Sequence, residues 1–134
     1  MRVVVDADVL IGALDGSDPH HALARTLFTG WQERNDTRSI SVVNLSEVLV
    51  APAADRQRLA AAREAIAALE IAVHRANEAI GVKAARLRCS HPVSLADAYC
   101  LATADHTGGS VASFDDNVLH AARAEGIGLV ETPG

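Results

Sequence analysis

Short apolar runs alternate with amphipathic helical segments along the chain, and this alternation is the strongest constraint on its fold. The first run, Arg2 to Val5, continues through three valines, which is typical of a strand covered on both faces. Strands that alternate with helices form a mostly parallel sheet with helices on both sides. The predicted strands are Arg2 to Val5, Ser39 to Val43, Ile71 to His74, Ser110 to Phe114 and Leu129 to Glu131. The sequence therefore predicts a three-layer α/β sandwich with a central sheet of four to five strands.

Helical periodicity accounts for most of the segments between these strands. From His20 to about Arg34, apolar residues recur at the i, i+3, i+4, i+7 spacing of an amphipathic helix. Further helices are predicted up to Leu14, from Asn44 onward, and over Asp55 to Leu69, Asn77 to about Arg88, Ser94 to Ala104 and Asp116 to Glu125. No repeat, low-complexity tract or linker divides the 134 residues, so a single domain over residues 1–134 is predicted.

The composition narrows the possible partners and the compartment. Seventeen acidic and 12 basic residues give a net charge of -5, which excludes a protein that holds nucleic acid by general positive charge. The few Phe, Trp and Tyr residues argue against a base-stacking surface. Asp6 and Asp8 interrupt the first apolar run, which fits neither a signal peptide nor a membrane span. With Cys89 and Cys100 expected as free thiols, we expect a cytoplasmic protein with no membrane partner.

Acidic residues lie at the predicted carboxyl ends of the strands, where open parallel sheets bind their ligands. Asp6 ends the first strand, and Glu47 lies in the first turn after the second. Asp115 and Asp116 end the fourth strand, and Asp97 lies in the first turn of a helix that follows a proline loop. Four segments that are far apart in sequence are therefore expected to bring carboxylates to one edge of the sheet.

The same acids also fit a purely structural interpretation. The pairs Asn44 with Glu47 and Ser94 with Asp97 have the spacing of helix-capping pairs. Asp116 is expected to cap the helix that it begins. An acid in a first turn is also stabilised by the helix dipole, by up to about 1 kcal/mol. Taken singly, most of these acids are explained by capping.

Asp6 and the predicted cluster as a whole are harder to explain in this way. Asp6 follows an apolar run, and an ionised carboxylate in a buried strand is costly unless it is paired or metal-bound. Four carboxylates about 5 Å apart make six pairs, each repelling by roughly 3 kcal/mol at an effective dielectric of about 20. The sum, on the order of 20 kcal/mol, exceeds the usual domain stability of about 5–15 kcal/mol. Such a cluster must be protonated, spread apart or neutralised by a cation.

The expected donor set favours a hard divalent cation. Oxygen ligands without adjacent Cys or His suit Mg²⁺ or Mn²⁺, whereas zinc prefers nitrogen and sulfur. His20 and His21 are candidates for contacts just outside such a metal site, and they also fit the pattern of plain surface residues.

Four motifs occur in order along nearly the whole chain: VVVDADVLIGALDGSDPHH, SVVNLSEVLV, SLADAYCLATA and ASFDDNVLHAAR. Together they resemble the PIN-domain ribonucleases, specifically the VapC-type toxins of bacterial type II toxin–antitoxin pairs. The resemblance implies a PIN-like fold over residues 1–134. It places the acids of the family pattern at Asp6, Glu47, Asp97 and Asp115, which are the positions at the predicted strand ends.

The resemblance implies an endoribonuclease that depends on Mg²⁺ or Mn²⁺ and hydrolyses RNA phosphodiester bonds. Asp6 and Asp97 are then the principal metal ligands, while Glu47 and Asp115 complete the metal site or orient a water.

Ser113 lies two positions before the last acid, where the family often has a small hydroxyl residue. Two other positions depart from the family pattern. Asp8 replaces a common Ser, Thr or Asn, and it is expected either to add a fifth carboxylate or to cap the helix after the first strand. Asp116 directly follows Asp115, so either of the two fits the last metal ligand.

The resemblance also implies a homodimer and a cognate antitoxin whose C-terminal segment covers the acidic site. The apolar faces of Leu23 to Trp31 and Ala51 to Leu69 are candidates for either contact, and also for the core. Candidate phosphate contacts are arginines, because a guanidinium binds a phosphate through two hydrogen bonds. They are Arg25, Arg34, Arg38, Arg86 and Arg88.

Two other functions stay open at this point. VVVDADVLI also fits the first motif of haloacid-dehalogenase-type phosphatases, with Asp6 as nucleophile and Lys83 as the phosphate-binding lysine. Against this alternative, the chain is short, and Glu47 and Asp97 have no role in it. A PIN-like domain that binds RNA or a partner without cutting is the other alternative, but a scaffold alone has no reason to keep four acids together.

Overall fold

The structure, a computed structural model, describes residues 1–132 and contains a five-stranded sheet whose adjacent strands are all parallel. Its strand order is β3-β2-β1-β4-β5. The strands are β1 (Arg2–Val5), β2 (Thr37–Ser41), β3 (Ala72–His74), β4 (Ser110–Ala112) and β5 (Gly128–Leu129). The prediction of a parallel α/β sheet with four to five strands is confirmed.

Seven α-helices and one short 3-10 helix, Pro52–Ala54, lie in the described residues. The helices are α1 (Ala7–Leu14), α2 (His21–Glu33), α3 (Val42–Leu49), α4 (Arg56–Ala68), α5 (Glu78–Ser90), α6 (Leu95–Thr107) and α7 (Asp116–Glu125). The predicted bounds of α7 are confirmed at both ends, and those of the other helices, apart from α3, lie within about three residues of the observed ones.

The alternation of side chains along β1 produces the three layers. Val3 and Val5 belong to a core cluster with α1 and α2, whereas Val4 belongs to a second cluster with α5, α6 and α7. All three valines have no solvent exposure. Because successive side chains of a strand point to opposite faces, a continuous valine run supplies both cores at once.

The junction between β2 and α3 differs from the prediction. Strand β2 was expected to extend to Val43, but it ends at Ser41, and α3 begins at Val42 rather than at Asn44. The Ser41 hydroxyl accepts a hydrogen bond from the Val43 amide and thereby caps α3. The two β-branched valines favour a strand by propensity, but here they form the first turn of a helix.

The ends of β4 and β5 were also predicted too far along the chain. Strand β4 ends at Ala112 instead of Phe114, and β5 covers Gly128–Leu129 instead of Leu129 to Glu131. The Ala112 carbonyl accepts the last cross-strand hydrogen bond from the Asp6 amide at 2.9 Å. Beyond this bond the chain leaves the sheet, so the residues after Ala112 are free to form a loop at its carboxyl edge.

The strand order reverses between β1 and β4, because the chain passes from β1 to β2 and β3 on one side and then returns to β4 on the other. Open parallel sheets bind ligands at the carboxyl edge beside such a reversal. Three elements meet there: the end of β1, the loop after β4 and the N-terminal end of α6, which packs against both α3 and β1.

Candidate active site

A pocket of about 290 Å³ lies at the carboxyl edge of the sheet, and most of the residues that line it are acidic. It is lined by Asp6, Asp8, Glu47, Asp97 and Asp115, together with Ala7 and Ile11. The structure thus brings together the four acids predicted from the sequence and adds Asp8 to them. Asp116 does not line this pocket, because it is exposed in the first turn of α7.

Asp6 lies directly after β1 and is only 2% exposed. One of its carboxylate oxygens accepts a hydrogen bond from the Ala7 amide at 2.8 Å, and the other accepts one from the Ser113 hydroxyl at 2.7 Å. Asp6 is the N-cap of α1, so the expectation that Asp8 caps this helix was wrong. Strand β1 passes into α1 without a loop, which leaves Asp6 alone at the capping position.

Asp8 connects α1 to the loop after β4. Its Oδ2 atom accepts a hydrogen bond from the Phe114 amide at 3.0 Å. Its Oδ1 atom is buried and, among residues 1–132, has no hydrogen-bond donor. One oxygen of Asp8 therefore holds the loop, and the other is unpaired in the pocket wall.

Asp115, and not Asp116, caps α7. Its Oδ1 atom accepts hydrogen bonds from the amides of Asn117 at 2.8 Å and Val118 at 3.3 Å. The prediction that Asp116 is the cap was wrong, because the helix already begins at Asp116. Since Asp115 uses Oδ1 for capping, its other oxygen is available to the pocket.

The Ser113 hydroxyl lies close to three of the acidic residues of the pocket. Its Oγ atom donates to Asp6 and accepts from the Asp115 amide at 3.1 Å. The Asp8 carboxylate is 3.5 Å from the same hydroxyl, which has only one proton to donate. The 2.7 Å contact with Asp6 is the shorter one, so the proton belongs there in the structure.

Asn44 has a role that the sequence did not predict. Because α3 begins at Val42, Asn44 lies inside the helix, and its side chain is fully buried. Its Nδ2 atom donates to the Glu47 carboxylate at 3.1 Å and to the Ala96 carbonyl at 3.0 Å. Asn44 therefore joins α3, which carries Glu47, to the first turn of α6, which carries Asp97. The three-residue spacing to Glu47 was the available signal, since such pairs also meet inside a helix.

We expect Asn44→Ala to lower the free energy of unfolding by about 1–3 kcal/mol, because the Ala96 carbonyl loses its buried donor. Urea denaturation measures this change. Ser46→Ala is the matched control, since Ser46 is exposed on the same helix and donates only to the Val42 carbonyl. Equal losses for the two variants would contradict a connecting role for Asn44.

Ser94 caps α6 as predicted, and this cap orients Asp97. The Asp97 amide donates to the Ser94 hydroxyl at 3.0 Å. Capping and pocket lining are therefore compatible at this end of α6. Asp97 interacts with Ser94 through its amide and its carboxylate, and its side chain also lines the pocket.

Three of the carboxylates in the pocket, those of Asp6, Asp8 and Asp97, have a pKa above the usual value for Asp. Burial, together with the charge of Asp8, raises the pKa of Asp6 to about 8, although hydrogen bonds from Ser113 and Ala7 partly oppose this. Burial also raises the pKa of Asp8 to about 6 and shifts the pKa of Asp97 upward. None of the salt bridges within residues 1–132 involves these three acids, so no protein cation neutralises them.

A divalent cation fits these residues, although they do not form a closed cage for one. Within residues 1–132, no group of three or more His, Cys, Asp or Glu side chains is arranged as ligands of a single ion. Mg²⁺ does not require such a cage, because it retains several waters and binds through one or two carboxylates. The all-oxygen donor set and the unpaired Oδ1 atom of Asp8 suit such an ion.

The two candidate histidines do not line the acidic pocket. The His21 ring donates to the Gly12 carbonyl at 2.8 Å and so fastens the start of α2 to α1. The His20 ring stacks on Phe114.

Three of the candidate phosphate-binding residues form hydrogen bonds or ion pairs with other residues of the protein. Arg38 is buried and donates to the carbonyls of Asp36 and Leu69, and Arg34 donates to the Asp36 carboxylate. Lys83 lies 3.8 Å from Asp105, near the end of α6 that is opposite to Asp97.

The position of Lys83 bears on the phosphatase alternative. Eight residues of helix separate Asp97 from Asp105, which corresponds to about 12 Å. A lysine paired at that distance is poorly placed to bind a phosphate at the acids, which weighs against the haloacid-dehalogenase mechanism.

An apolar groove of about 470 Å³ adjoins the acidic pocket and shares Ile11 and Glu47 with it. Helix α4 contributes the small side chains of Ala61, Ala62 and Ala65 to one wall of the groove. By contrast, the apolar face of α2 is used in the core, where Trp31 and Phe28 are almost fully buried. The two faces considered as contact surfaces therefore differ, and only that of α4 borders an open groove.

Comparisons with known proteins agree with this architecture. A family model described as PIN domain matches residues 3–124. VapC20 of Mycobacterium tuberculosis, a sarcin-ricin loop cleaving toxin, superposes with a TM-score of 0.75 at 18% identity, over 98% of this chain and 99% of that one. VapBC2 of Rickettsia felis, solved with a DNA fragment from its promoter, gives 0.76 at 10% identity, over 99% and 100%. A toxin–antitoxin complex from Klebsiella pneumoniae gives 0.67 at 19% identity, over 86% and 88%.

These identities are low, so the structural similarities concern the fold alone. No curated protein sequence matches this chain significantly. No helix among the described residues has both the length and the apolar character needed to cross a membrane.

Proposed function

This chain belongs to the PIN-domain family, and from that premise we propose that it is an endoribonuclease that depends on Mg²⁺ or Mn²⁺. We further propose that it is the toxin of a VapBC-type pair and acts in the cytoplasm. The observation that carries this proposal is the convergence of five carboxylates in one pocket at the carboxyl edge of the sheet. The similarity in fold to VapC20 and to toxin–antitoxin complexes supports it.

Asp6, Asp97 and Asp115 are the proposed metal ligands. Ser113 holds the Asp6 carboxylate and the Asp115 amide, so two of the three ligands are positioned by one side chain. When bound, a divalent ion lowers the pKa of a water and offsets the negative charge that develops on the phosphate and the leaving oxygen. Asp8 is the proposed additional acid, through its unpaired Oδ1 atom.

Glu47 is proposed to orient the attacking water. One of its oxygens accepts the hydrogen bond from Asn44, which fixes the side chain over the pocket. Glu47 is exposed to solvent, so its second oxygen is accessible to a water. Its role is therefore distinct from that of Asp6, which is buried and hydrogen-bonded through both oxygens.

A cognate antitoxin and a second copy of the chain are the proposed protein partners, with RNA as the substrate. The apolar groove beside the acidic pocket supports an antitoxin segment there, because its occupant would also cover Glu47. The similar structure from Klebsiella pneumoniae is a toxin–antitoxin complex, which supports this kind of partner.

The test is cleavage of total cellular RNA by the purified protein, with 5′ ends mapped after incubation. We expect discrete new 5′ ends with Mg²⁺ or Mn²⁺, none with EDTA, and a loss of rate of at least about 100-fold in Asp97→Asn. Asp105→Asn is the matched control, because Asp105 lies on the same helix but pairs with Lys83 at its other end. It is expected to retain the activity.

The alternatives predict different results. If Asp97→Asn is folded by circular dichroism and cleaves RNA as fast as the unsubstituted protein, the proposed mechanism is wrong. Turnover of a small phosphomonoester, with a phosphoenzyme trapped on Asp6, would support a phosphatase instead. Metal binding by calorimetry without cleavage of any RNA in a broad panel would indicate a binding domain.

A further inference from the structure

An aromatic stack borders the acidic pocket. The rings of His20 and Phe114 lie nearly parallel, with their centroids 4.4 Å apart and an angle of 18° between their planes. Phe114 directly precedes Asp115, and its amide donates to the Asp8 carboxylate. The stack is therefore attached to the same loop that supplies one wall of the pocket.

Helix capping and ion pairing do not account for the position of the His20 side chain. It occupies the N-cap position of α2, but it forms no capping hydrogen bond there. The Asp18 carboxylate is 3.7 Å from the Nδ1 atom of His20. The same carboxylate accepts a shorter hydrogen bond, of 2.8 Å, from the His20 backbone amide. The side chain is 53% exposed, so the stack is open to solvent at His20.

Phe114 forms the backing of this surface. It packs against the core on the α1 side, where a Cβ atom on Gly12 would lie 3.6 Å from its ring. Gly12 and Asp8 are one helical turn apart on α1, which corresponds to about 6 Å along the axis. A half-exposed aromatic surface thus lies about one helical turn from Asp8.

We propose that the outer face of the His20 ring, backed by Phe114, stacks on an unpaired nucleobase of the RNA beside the phosphate that is cut. Single-stranded RNA is commonly held by stacking its bases on aromatic side chains, including His. This inference rests on the proposed ribonuclease function and adds a base-binding subsite to it.

Base stacking also offsets the repulsion between the acidic site and the phosphates of RNA. The chain has a net charge of -5, and the acidic pocket repels the phosphates on either side of the one that is cut. Arg34 and Arg38, two of the arginines considered for phosphate binding, are held by Asp36 and by backbone carbonyls. Contact with the uncharged face of a base adds affinity without requiring further positive charge.

The expectation from composition that no stacking surface exists was based on Phe, Trp and Tyr alone. His20 supplies the exposed ring of the stack, and Phe114 packs against its inner face. The two residues are far apart in sequence, so only the fold reveals the pair.

The test is the affinity of His20 variants for RNA that carries bases and for RNA that lacks them. All proteins carry Asp97→Asn to prevent cleavage. One probe is a fluorescent random-sequence RNA of 12 nucleotides, which is about the length of one binding site. The other probe is an abasic ribose-phosphate oligomer of equal length. His20→Ala is expected to raise the Kd for RNA about tenfold and the Kd for the abasic oligomer less than about twofold. His20→Phe is expected to restore the affinity for RNA, and His120→Ala, on the exposed side of α7, is expected to leave both values unchanged.

Each of the other outcomes overturns the proposal. If His20→Ala weakens binding of both probes equally, His20 contacts phosphate by charge. If it changes neither, the stack serves a protein partner or no partner. If the unsubstituted protein neither binds nor cleaves RNA, the ribonuclease function itself fails. If the same His20 variants with Asp97 restored cleave RNA with an unchanged KM, only the stacking subsite is rejected.

Discussion

Asp6→Asn is expected to lower the rate of RNA cleavage by at least about 1,000-fold and, at the same time, to stabilise the metal-free protein near pH 8. The loss follows if Asp6 is a principal metal ligand, because the metal contributes several kcal/mol to transition-state stabilisation and each 1.36 kcal/mol is a factor of about ten. The gain follows from the burial of Asp6, which is 2% exposed and faces no protein cation among residues 1–132. The proposed metal ligand Asp6 is therefore also expected to be a local source of instability.

The size of the stabilisation follows from the pKa of Asp6, which is about 8 in the folded protein against an ordinary 3.8. Each pKa unit corresponds to about 1.4 kcal/mol, so the penalty near pH 8 has an upper bound on the order of 5 kcal/mol. An amide retains the shape of the carboxylate but offers one acceptor oxygen where Ala7 and Ser113 now use two. With that loss of about 1–2 kcal/mol, we expect a net gain of roughly 2–4 kcal/mol.

Urea denaturation in EDTA measures the stability, and cleavage of the RNA identified by 5′-end mapping measures the rate. Asp105→Asn is again the control, because an exposed ion pair with Lys83 is worth no more than about 1 kcal/mol. If Asp6→Asn is instead less stable than the unsubstituted protein near pH 8, then burial does not hold Asp6 in an unfavourable state. If it also retains full activity, Asp6 is not a metal ligand.

The elements around Asp6 were predictable from the sequence because their signals are local. The valine run of β1 fixes a two-sided strand, and the residue after it reaches the carboxyl edge of any parallel sheet. The same argument places Asp115 after β4. Both acids line the pocket even though the end of β4 was predicted two residues too late.

The capping assignments of Asp8 and Asp116 were wrong, whereas that of Ser94 is confirmed, and capping does not exclude pocket lining. Asp6 and Asp115 do both, since each follows a strand that leads into a helix within a few residues. A carboxylate has two oxygens, and in Asp115 one of them satisfies the helix amides while the other is available to the pocket. The neighbours, Asp8 and Asp116, already lie inside their helices and so are not caps.

The contacts of Asn44 and of His20 could not be predicted, because each depends on a partner distant in sequence. Asn44 reaches the Ala96 carbonyl of another helix, and its burial follows from the start of α3 at Val42. The β propensity of Val42 and Val43 favours a strand there, but the Ser41 cap starts a helix instead. Long-range pairs of this kind decide how the acids are held, whereas local patterns decide only which edge they reach.

The metal-free protein is expected to lose stability as the pH rises from about 5 to about 8, and Mg²⁺ or Mn²⁺ is expected to restore more of it at the higher pH. Both Asp6 and Asp8 have a raised pKa in the folded state, about 8 and about 6 against 3.8. Between these values the folded protein binds more protons than the unfolded chain does, so the free energy of unfolding falls as the pH rises. Groups with a lowered pKa, such as Asp36 and Glu125, act in the opposite direction, but below this range.

Divalent metal changes this dependence because it competes with protons for the same oxygens. Near pH 8 the binding of an ion displaces protons from these carboxylates into the buffer at little cost, whereas near pH 5 the displacement costs more. Thermal unfolding in EDTA and in excess Mg²⁺ at about pH 5, 6, 7 and 8 measures the difference, and titration calorimetry in two buffers counts the protons released. Asp6→Asn is expected to flatten the slope above about pH 6 and to leave the smaller contribution of Asp8 below it. A metal-free protein that gains stability between pH 5 and 8 would show that these carboxylates are ionised without penalty, and the electrostatic case for a metal at this edge of the sheet would then fail.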